Sequence, residues 1–355
     1  MKVSNLIQEQ RKKLNLTILT LSQKTGIDQG LLSKYENAAR IPSENHLLPL
    51  AEALQIEYSE LRKYYKAEKI YALLENEIDA KEILQVAEAR VDYLTSSNAF
   101  QLPDFTTSVN AKLQTAENLQ KQWQSNKPLN QTQLQKMREY FAIKYTFDSN
   151  RIEGNTLTLQ ETQLVVNEGV TIAGKSMREH LEAINHTEAV DFVADMLVGK
   201  EDLNRRNLLE IHRLILKSID NENAGIYRKV PVRISGSEHQ PPQPYMIEKL
   251  MEDFFIHYEK QKKRLHPVIL AAEMHERLAT IHPFVDGNGR TSRLIMNFIL
   301  LKNGYTITIL KGDTTSKLQY FKALERVQVN NEPNLFYELI LDRVISSLNE
   351  HLELA

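Results

Sequence analysis

Twelve consecutive residues, His282-Pro-Phe-Val-Asp-Gly-Asn-Gly-Arg-Thr-Ser-Arg293, place a base, a carboxylate, a glycine pair and two guanidinium groups in one short stretch. Histidine is the side chain best matched to proton transfer near neutral pH, so His282 can serve as a general base. Gly287 and Gly289 let the backbone take positive φ and approach a ligand closely. Asn288 between them tolerates the left-handed region. A loop of this kind leading into a helix at Thr291 turns several backbone N–H groups toward one point, which makes an anion nest at a helix N-terminus. Arg290 and Arg293 stand three apart, share a helix face and can clamp further phosphate oxygens. Asp286 beside the nest can hold Mg²⁺, a hard cation that accompanies phosphate. A merely solvated turn accounts poorly for all of these groups in twelve residues.

The elements that must position the motif are helices. Val268, Ala271, Met274, Leu278 and Ile281 keep helical spacing before it, and Leu294, Ile295, Phe298, Ile299 and Leu301 resume that spacing after it. Pro283 lacks an N–H, and its ring clashes with the preceding turn, so the first helix stops there. The motif is therefore a loop between two buried helices.

At every defined position this stretch resembles the Fic-domain motif, His-Pro-Phe-x-(Asp/Glu)-Gly-Asn-Gly-Arg-x-x-Arg. Fic proteins are mostly adenylyltransferases that move AMP from ATP onto a protein hydroxyl. The resemblance implies that His282 deprotonates the target hydroxyl, that Asp286 holds Mg²⁺ or Mn²⁺, and that Gly287, Asn288 and Gly289 cradle the α- and β-phosphates. Arg290 and Arg293 would bind the β- and γ-phosphates, with Thr291 and Ser292 between them in the same nucleotide-binding stretch. A second match lies upstream. Ser149-Asn150-Arg151-Ile152-Glu153-Gly154 fits that family's inhibitory pattern, (Ser/Thr)-x-x-x-Glu-(Gly/Asn), on a helix near 137–154. The resemblance implies that Glu153 pairs with Arg293 and takes the γ-phosphate position; a carboxylate–guanidinium pair there would be bidentate. It also implies a β-hairpin flap over the site, with Val232, Arg233, Ile234 and Ser235 near the nucleotide. Tyr320 and Gln328 match positions that contact the adenosine in relatives.

Composition bounds the rest. The chain has 355 residues, enough for two or three domains, and is 42% hydrophobic and 25% charged, ordinary values for a globular protein. A formal charge of −2 leaves the whole molecule uncommitted to nucleic acid or membrane. The absence of cysteine excludes disulfides and thiolate metal sites. No apolar run approaches the roughly 18 residues of a membrane span, and the N-terminus has no signal-peptide core, so the expected compartment is the cytoplasm and no membrane partner is expected. Only 12 Gly and 11 Pro among long Leu/Glu/Lys/Gln segments point to a mainly helical fold.

Residues 1–66 read as five short helices. Thr17 and Asp28 are N-cap candidates, and Gly26 ends a helix in a left-handed turn. The short-turn helix pair is the helix-turn-helix pattern. It resembles the Xre/phage-repressor family through Leu21, Gly26, Ile27, Leu32-Ser33, Tyr35-Glu36-Asn37, Arg40, Pro42-Ser43 and Ala51 to Leu54. In that family Gln29, Gly30, Leu31, Ser33 and Lys34 would face the major groove of DNA. Ile18 stands where the family usually has a phosphate-contacting glutamine, and Ala38 where it usually has glycine. Ten basic residues against seven acidic ones give the segment +3. The competing use is a helical module for a homodimer or another partner.

Residues 67–128 read as a polar helical connector, with Ile70, Leu73, Leu74, Ile78 and Ile83 at a rough helical spacing, broken near Asn98 and Leu102-Pro103. Residues 129–350 form the Fic region. Within it, Thr158-Leu-Gln-Glu161 is a capping box, His186 and His212 are core or supporting histidines, and Val230, Val232 and Ile234 alternate as a strand. A helix from Thr314 or Thr315 is expected to turn Leu318, Phe321, Leu324 and Val327 inward. His275-Glu276 lacks the second zincin histidine, since Ala279 stands there. No P-loop and no nucleophile elbow occur.

The fold class is therefore mainly α: a helical Fic fold with a short β-hairpin flap, preceded by an all-α helix-turn-helix domain. The activity expected is AMP transfer from ATP to a Ser, Thr or Tyr hydroxyl of a target protein. Three alternatives stand beside it: removal of AMP at the same site, another nucleotide or phosphodiester as donor, and a DNA-binding regulator with a Fic sensor domain.

Overall fold

The computed structural model describes residues 2–97, 104–125 and 131–355. The expected breaks at Asn98 and at Leu102-Pro103 lie outside the described residues. The chain forms two compact units, residues 1–102 and 103–355.

The first unit holds α1 (Val3–Lys13), α2 (Ile18–Thr25), α3 (Gln29–Glu36), α4 (Glu44–Leu54), α5 (Tyr58–Leu74) and α6 (Ala80–Ser97). Local chemistry sets the boundaries. Thr17 accepts from the Thr20 N–H and Asp28 from the Leu31 N–H, so orphan donors at two helix starts are satisfied. Gly26 ends α2 at φ 69°. Leu21, Leu32, Tyr35, Leu47, Leu50, Leu54 and Leu61 close one apolar core. Ile70, Leu73 and Ile78, in spite of their helical spacing, are exposed.

The second unit holds α7 (Thr107–Ser125), α8 (Gln131–Ile152), α9 (Leu159–Glu168), α10 (Met177–Val198), α11 (Arg205–Leu216), α12 (Ile247–Gln261), α13 (Pro267–Ile281), α14 (Asn288–Lys302), α15 (Thr314–Asn330) and α16 (Asn334–Glu353). Its centre is α14, buried on every side from Arg290 to Leu300. A helix apolar all round belongs inside its domain. It packs against α13, α10, α11 and the end of α8. Thr158 and Glu161 form the expected capping box at the start of α9, and Ser176 with Glu179 forms a second one at α10.

Two expectations are corrected here. Residues 230–235 form no strand: the alternation is present, with Val232 and Ile234 half-buried and Arg233 and Ser235 exposed, but the segment has no ladder partner and enters a turn at Ser235-Gly236. Alternation specifies two faces; a strand also requires a paired neighbour. The face of α15 is also rotated. Tyr320 and Ala323 are buried, whereas Leu318 is 64% and Phe321 42% exposed. Tyr320 goes inward because its hydroxyl bonds His275 Nε2 at 3.1 Å and its ring lies beside Phe336.

Candidate functional site

The site forms where α13 ends and α14 begins. His282 caps α13 at φ 50°, a left-handed conformation uncommon for a residue with a Cβ. Its Nδ1 lies 3.2 Å from the Ala279 carbonyl, which can only accept, so Nδ1 carries the proton and Nε2 the free lone pair. Burial lowers the imidazole pKa to about 4, assisted by Arg228 and His239. The ring is therefore a neutral base at physiological pH.

Around it the loop is held by side chains. The Asn288 amide binds both backbone groups of Phe284, accepting at 3.0 Å and donating at 2.9 Å. Phe284 stacks on His212 at 3.6 Å between centroids. His212 accepts from the Gly225 N–H through Nδ1 and donates from Nε2 to the Asp286 carbonyl, each at 2.9 Å. A Cβ at Gly287, which has φ +79°, would meet the His212 ring at 3.3 Å. His212 is thus a supporting histidine, while His186 stays in the core on Thr146.

Gly287 is the N-cap of α14, so the N–H groups of Asn288, Gly289 and Arg290 open the helix without intrahelical partners. The hydroxyls of Thr291 and Ser292 point elsewhere: they donate to the Gly287 and Asn288 carbonyls at 2.8 Å. These two residues, expected in the nucleotide-binding stretch, present no free side-chain donor to it. Arg290 and Arg293 are almost fully buried, and Arg290 Nε and Nη1 and Arg293 Nη1 have no hydrogen-bond partner. Buried unsatisfied guanidinium donors are costly, and three beside a helix N-terminus describe an anion site.

Across from that nest stands the end of α8. Arg293 donates Nε to Ser149 Oγ at 3.0 Å, and Nη2 to the Ser149 carbonyl at 2.9 Å and to Glu153 Oε1 at 2.6 Å. The expected bidentate pair is therefore a single-oxygen contact: Ser149 takes Nε and shares Nη2 with Glu153, and Nη1 makes no hydrogen bond. Glu153 also presses on the nest: a Cβ at Gly289 would overlap its Oε1. Burial raises the Glu153 pKa, but Arg293 and Arg290 outweigh it and leave the carboxyl below its ordinary value.

Asp286 is partly exposed. Burial raises its pKa, and Arg290, the Gly287 N–H and Arg178 bring it below the ordinary value. Among the described residues no group of three or more His, Cys, Asp or Glu forms a metal cage. One carboxylate beside buried phosphate-type donors suits a cation held jointly with a nucleotide. Tyr320 is buried behind the site, its hydroxyl committed to His275, and Gln328 is half-buried late in α15. In the first unit, Gln29, Gly30 and Lys34 are exposed, and Leu31 and Ser33 half-buried.

One functional residue escaped the sequence reading. Arg228 is 3% exposed and has carbonyl partners: His282 at 2.7 Å, Val230 at 3.0 Å and Pro242 at 2.6 Å, while its own N–H bonds the Pro283 carbonyl at 2.8 Å. It ties Val230 and Pro242, on either side of the turn at Gly236, to the backbone of His282. The available signal was an arginine just after Gly225, a turn residue with φ +74°, at the entry to the segment 230–235.

Residues 202–300 match the family model described as Fic/DOC family, and residues 7–61 match the one described as helix-turn-helix. Proteins named protein adenylyltransferase Fic, from Drosophila grimshawi and Drosophila melanogaster, are each 38% identical over 193 residues, 54% of this chain and 39% of theirs. The chain thus matches well under half the length of these curated relatives. Among solved structures, a Fic domain-containing signalling protein from Bacteroides thetaiotaomicron is 27% identical with a TM-score of 0.61, covering 68% of this chain and 96% of that one. Fic-1 from C. elegans shares the fold, with a TM-score of 0.62 at 24% identity and 94% coverage of both chains.

Proposed function

For a chain that carries a Fic domain behind a helix-turn-helix domain, we propose the activity of a protein adenylyltransferase, moving AMP from ATP to a Ser, Thr or Tyr hydroxyl of a target protein and held back by Glu153. The observation that carries this reading is the pair of buried arginines at the head of α14. They leave three donor nitrogens without a hydrogen bond, one of which, Arg290 Nη1, lies 3.5 Å from Glu182, and Arg293 holds the Glu153 carboxylate at 2.6 Å, beside the anion nest.

In this reading the N–H groups of Asn288, Gly289 and Arg290, with both guanidiniums, hold the triphosphate. Asp286 would hold a Mg²⁺ or Mn²⁺ ion, which would supply charge neutralisation on the phosphates. His282 Nε2 takes the proton of the target hydroxyl. The hydroxyl oxygen bonds the α-phosphorus, the bond to the β-phosphate oxygen breaks, and pyrophosphate leaves. The chain supplies position and charge complementarity together with one base. The unladdered segment 231–234 is where a target stretch would align by adding a strand. Glu153 opposes all this by occupying Arg293 and by placing negative charge where a terminal phosphate would sit. The first unit would bring the enzyme to DNA, as a monomer or a homodimer, in the cytoplasm.

Labelling a cell lysate with α-³²P-ATP tests the reading. Glu153→Gly should label protein more strongly than wild type, and His282→Ala should not label at all. Equal labelling by all three proteins would refute it. A second direction is favoured by one feature: Glu153 is 34% exposed and held ionised at the site, so it can align a water against an AMP already on a target. Faster release of AMP from modified target by wild type than by Glu153→Gly would select that direction.

A further inference from the structure

Both oxygens of Asp286 are engaged. Oδ2 accepts from Arg178 Nη2 at 2.6 Å, and Oδ1 accepts from the Gly287 N–H at 2.5 Å and from Arg290 Nη2 at 3.3 Å. Arg178, in the first turn of α10, also donates Nε to Glu182 Oε1 at 3.1 Å. Glu182 in turn lies 3.5 Å from Arg290 Nη1. Arg178, Asp286, Arg290 and Glu182 thus close a ring of alternating charge around the carboxylate that the proposed function assigns to the cation.

The two arginines of that ring differ. Arg290 is 2% exposed and fixed in the buried helix, whereas the Arg178 side chain is 57% exposed and free to swing toward water while keeping Glu182. A divalent ion binds a carboxylate oxygen at about 2.0–2.1 Å. A guanidinium 2.6 Å from that oxygen occupies one of its lone-pair directions, and its positive charge repels an ion on the same carboxylate.

We propose that Arg178 competes with the divalent cation for Asp286 and thereby sets the cation affinity of the nucleotide site. Loading then breaks the Arg178–Asp286 pair, and Arg178 is a positioning residue that keeps the empty site's carboxylate compensated. This rests on the reading of Asp286 as the cation carboxylate.

The test is a Mn²⁺ titration of the full chain, followed by electron paramagnetic resonance in the presence of a non-hydrolysable ATP analogue. Arg178→Gln keeps a hydrogen-bonding side chain and removes the charge; it should tighten Mn²⁺ binding roughly three- to ten-fold, the scale expected for a half-exposed pair together with relief of repulsion. Arg178→Lys, which keeps the charge, should stay near wild type. Asp286→Asn should lose the site. Unchanged or weaker Mn²⁺ binding by Arg178→Gln, with Asp286→Asn still defective, would overturn the competition and leave Asp286 in its role. Wild-type Mn²⁺ affinity in Asp286→Asn would instead overturn the assignment of Asp286, and the competition with it.

Discussion

In the first unit the residues expected to meet DNA are outside. Gln29, Gly30 and Lys34 are exposed, and Ser4 and Glu36 are the buried polar side chains among the unit's described residues. At the head of α14 the order is inverted: Arg290, Thr291, Ser292 and Arg293 are buried, and the apolar Val285 is exposed. The inversion matches the chemistry that the proposed roles would ask of each. A helix that reads a DNA groove needs solvated donors on a rigid apolar base. A site that reads and cleaves a phosphate anhydride needs donors shielded from water, where an uncompensated charge acts strongly. The second unit accordingly keeps guanidinium nitrogens without hydrogen bonds and a histidine at positive φ at the head of its buried helix.

The largest effect expected from this contrast is at His282. His282→Ala should lower target labelling by ~10²–10⁴-fold while leaving ATP binding nearly intact, since the imidazole serves the acceptor and not the phosphates. Burial holds its pKa down at about 4, and the neutral form is the working one. The rate should therefore hold level as pH falls below the ordinary histidine value of 6.5, and decline only toward about 4. A midpoint near 6.5 would break the claim that burial keeps this imidazole neutral.

Next comes the contact across the site. Glu153→Gly should raise labelling by at least ~10-fold, or roughly 1.4 kcal/mol of barrier. Arg293→Ala should not mimic it, because the same guanidinium is needed to orient the triphosphate, and the double variant should stay inactive. Labelling at or below the wild-type level in Glu153→Gly would move the hydrolytic reading forward.

The first unit should respond more mildly. Ala38 follows α3 at φ 58°, where a Cβ is disfavoured. Ala38→Gly should stabilise that unit by about 1 kcal/mol, read as a rise in the melting temperature of its transition. A fall would mean that the turn is not strained. The smallest effect is at Lys34, an exposed charge on the candidate recognition helix. Lys34→Ala should weaken DNA binding uniformly across sequences and reduce the salt slope by about 1. An unaltered salt slope would separate Lys34 from the phosphates and favour the homodimer or partner use of the unit.

What the sequence determined by itself is what acts over one or two helical turns. The caps at Thr17, Asp28 and Thr158, the left-handed Gly26, the stop at Pro283 and the glycine-flanked entry to α14 are local choices between backbone conformations. The motif was legible for the same reason, since base, carboxylate, nest and arginines lie within twelve residues. Glu153 was legible only through a resemblance; its contact with Arg293 spans 140 positions, and that Ser149 takes Nε and shares Nη2 is a matter of how α8 meets α14. The same holds for Arg178 on Asp286, 108 positions apart, and for Arg228 on the His282 carbonyl, 54 apart. Which face of α15 turns inward was decided by His275 and Phe336 receiving Tyr320, and the alternating segment 230–235 lacks a strand partner that alternation alone cannot supply. Periodicity says that an element has a buried side; the neighbours against which it packs decide which residues fill it, and only that packing brings distant charges within a few ångströms.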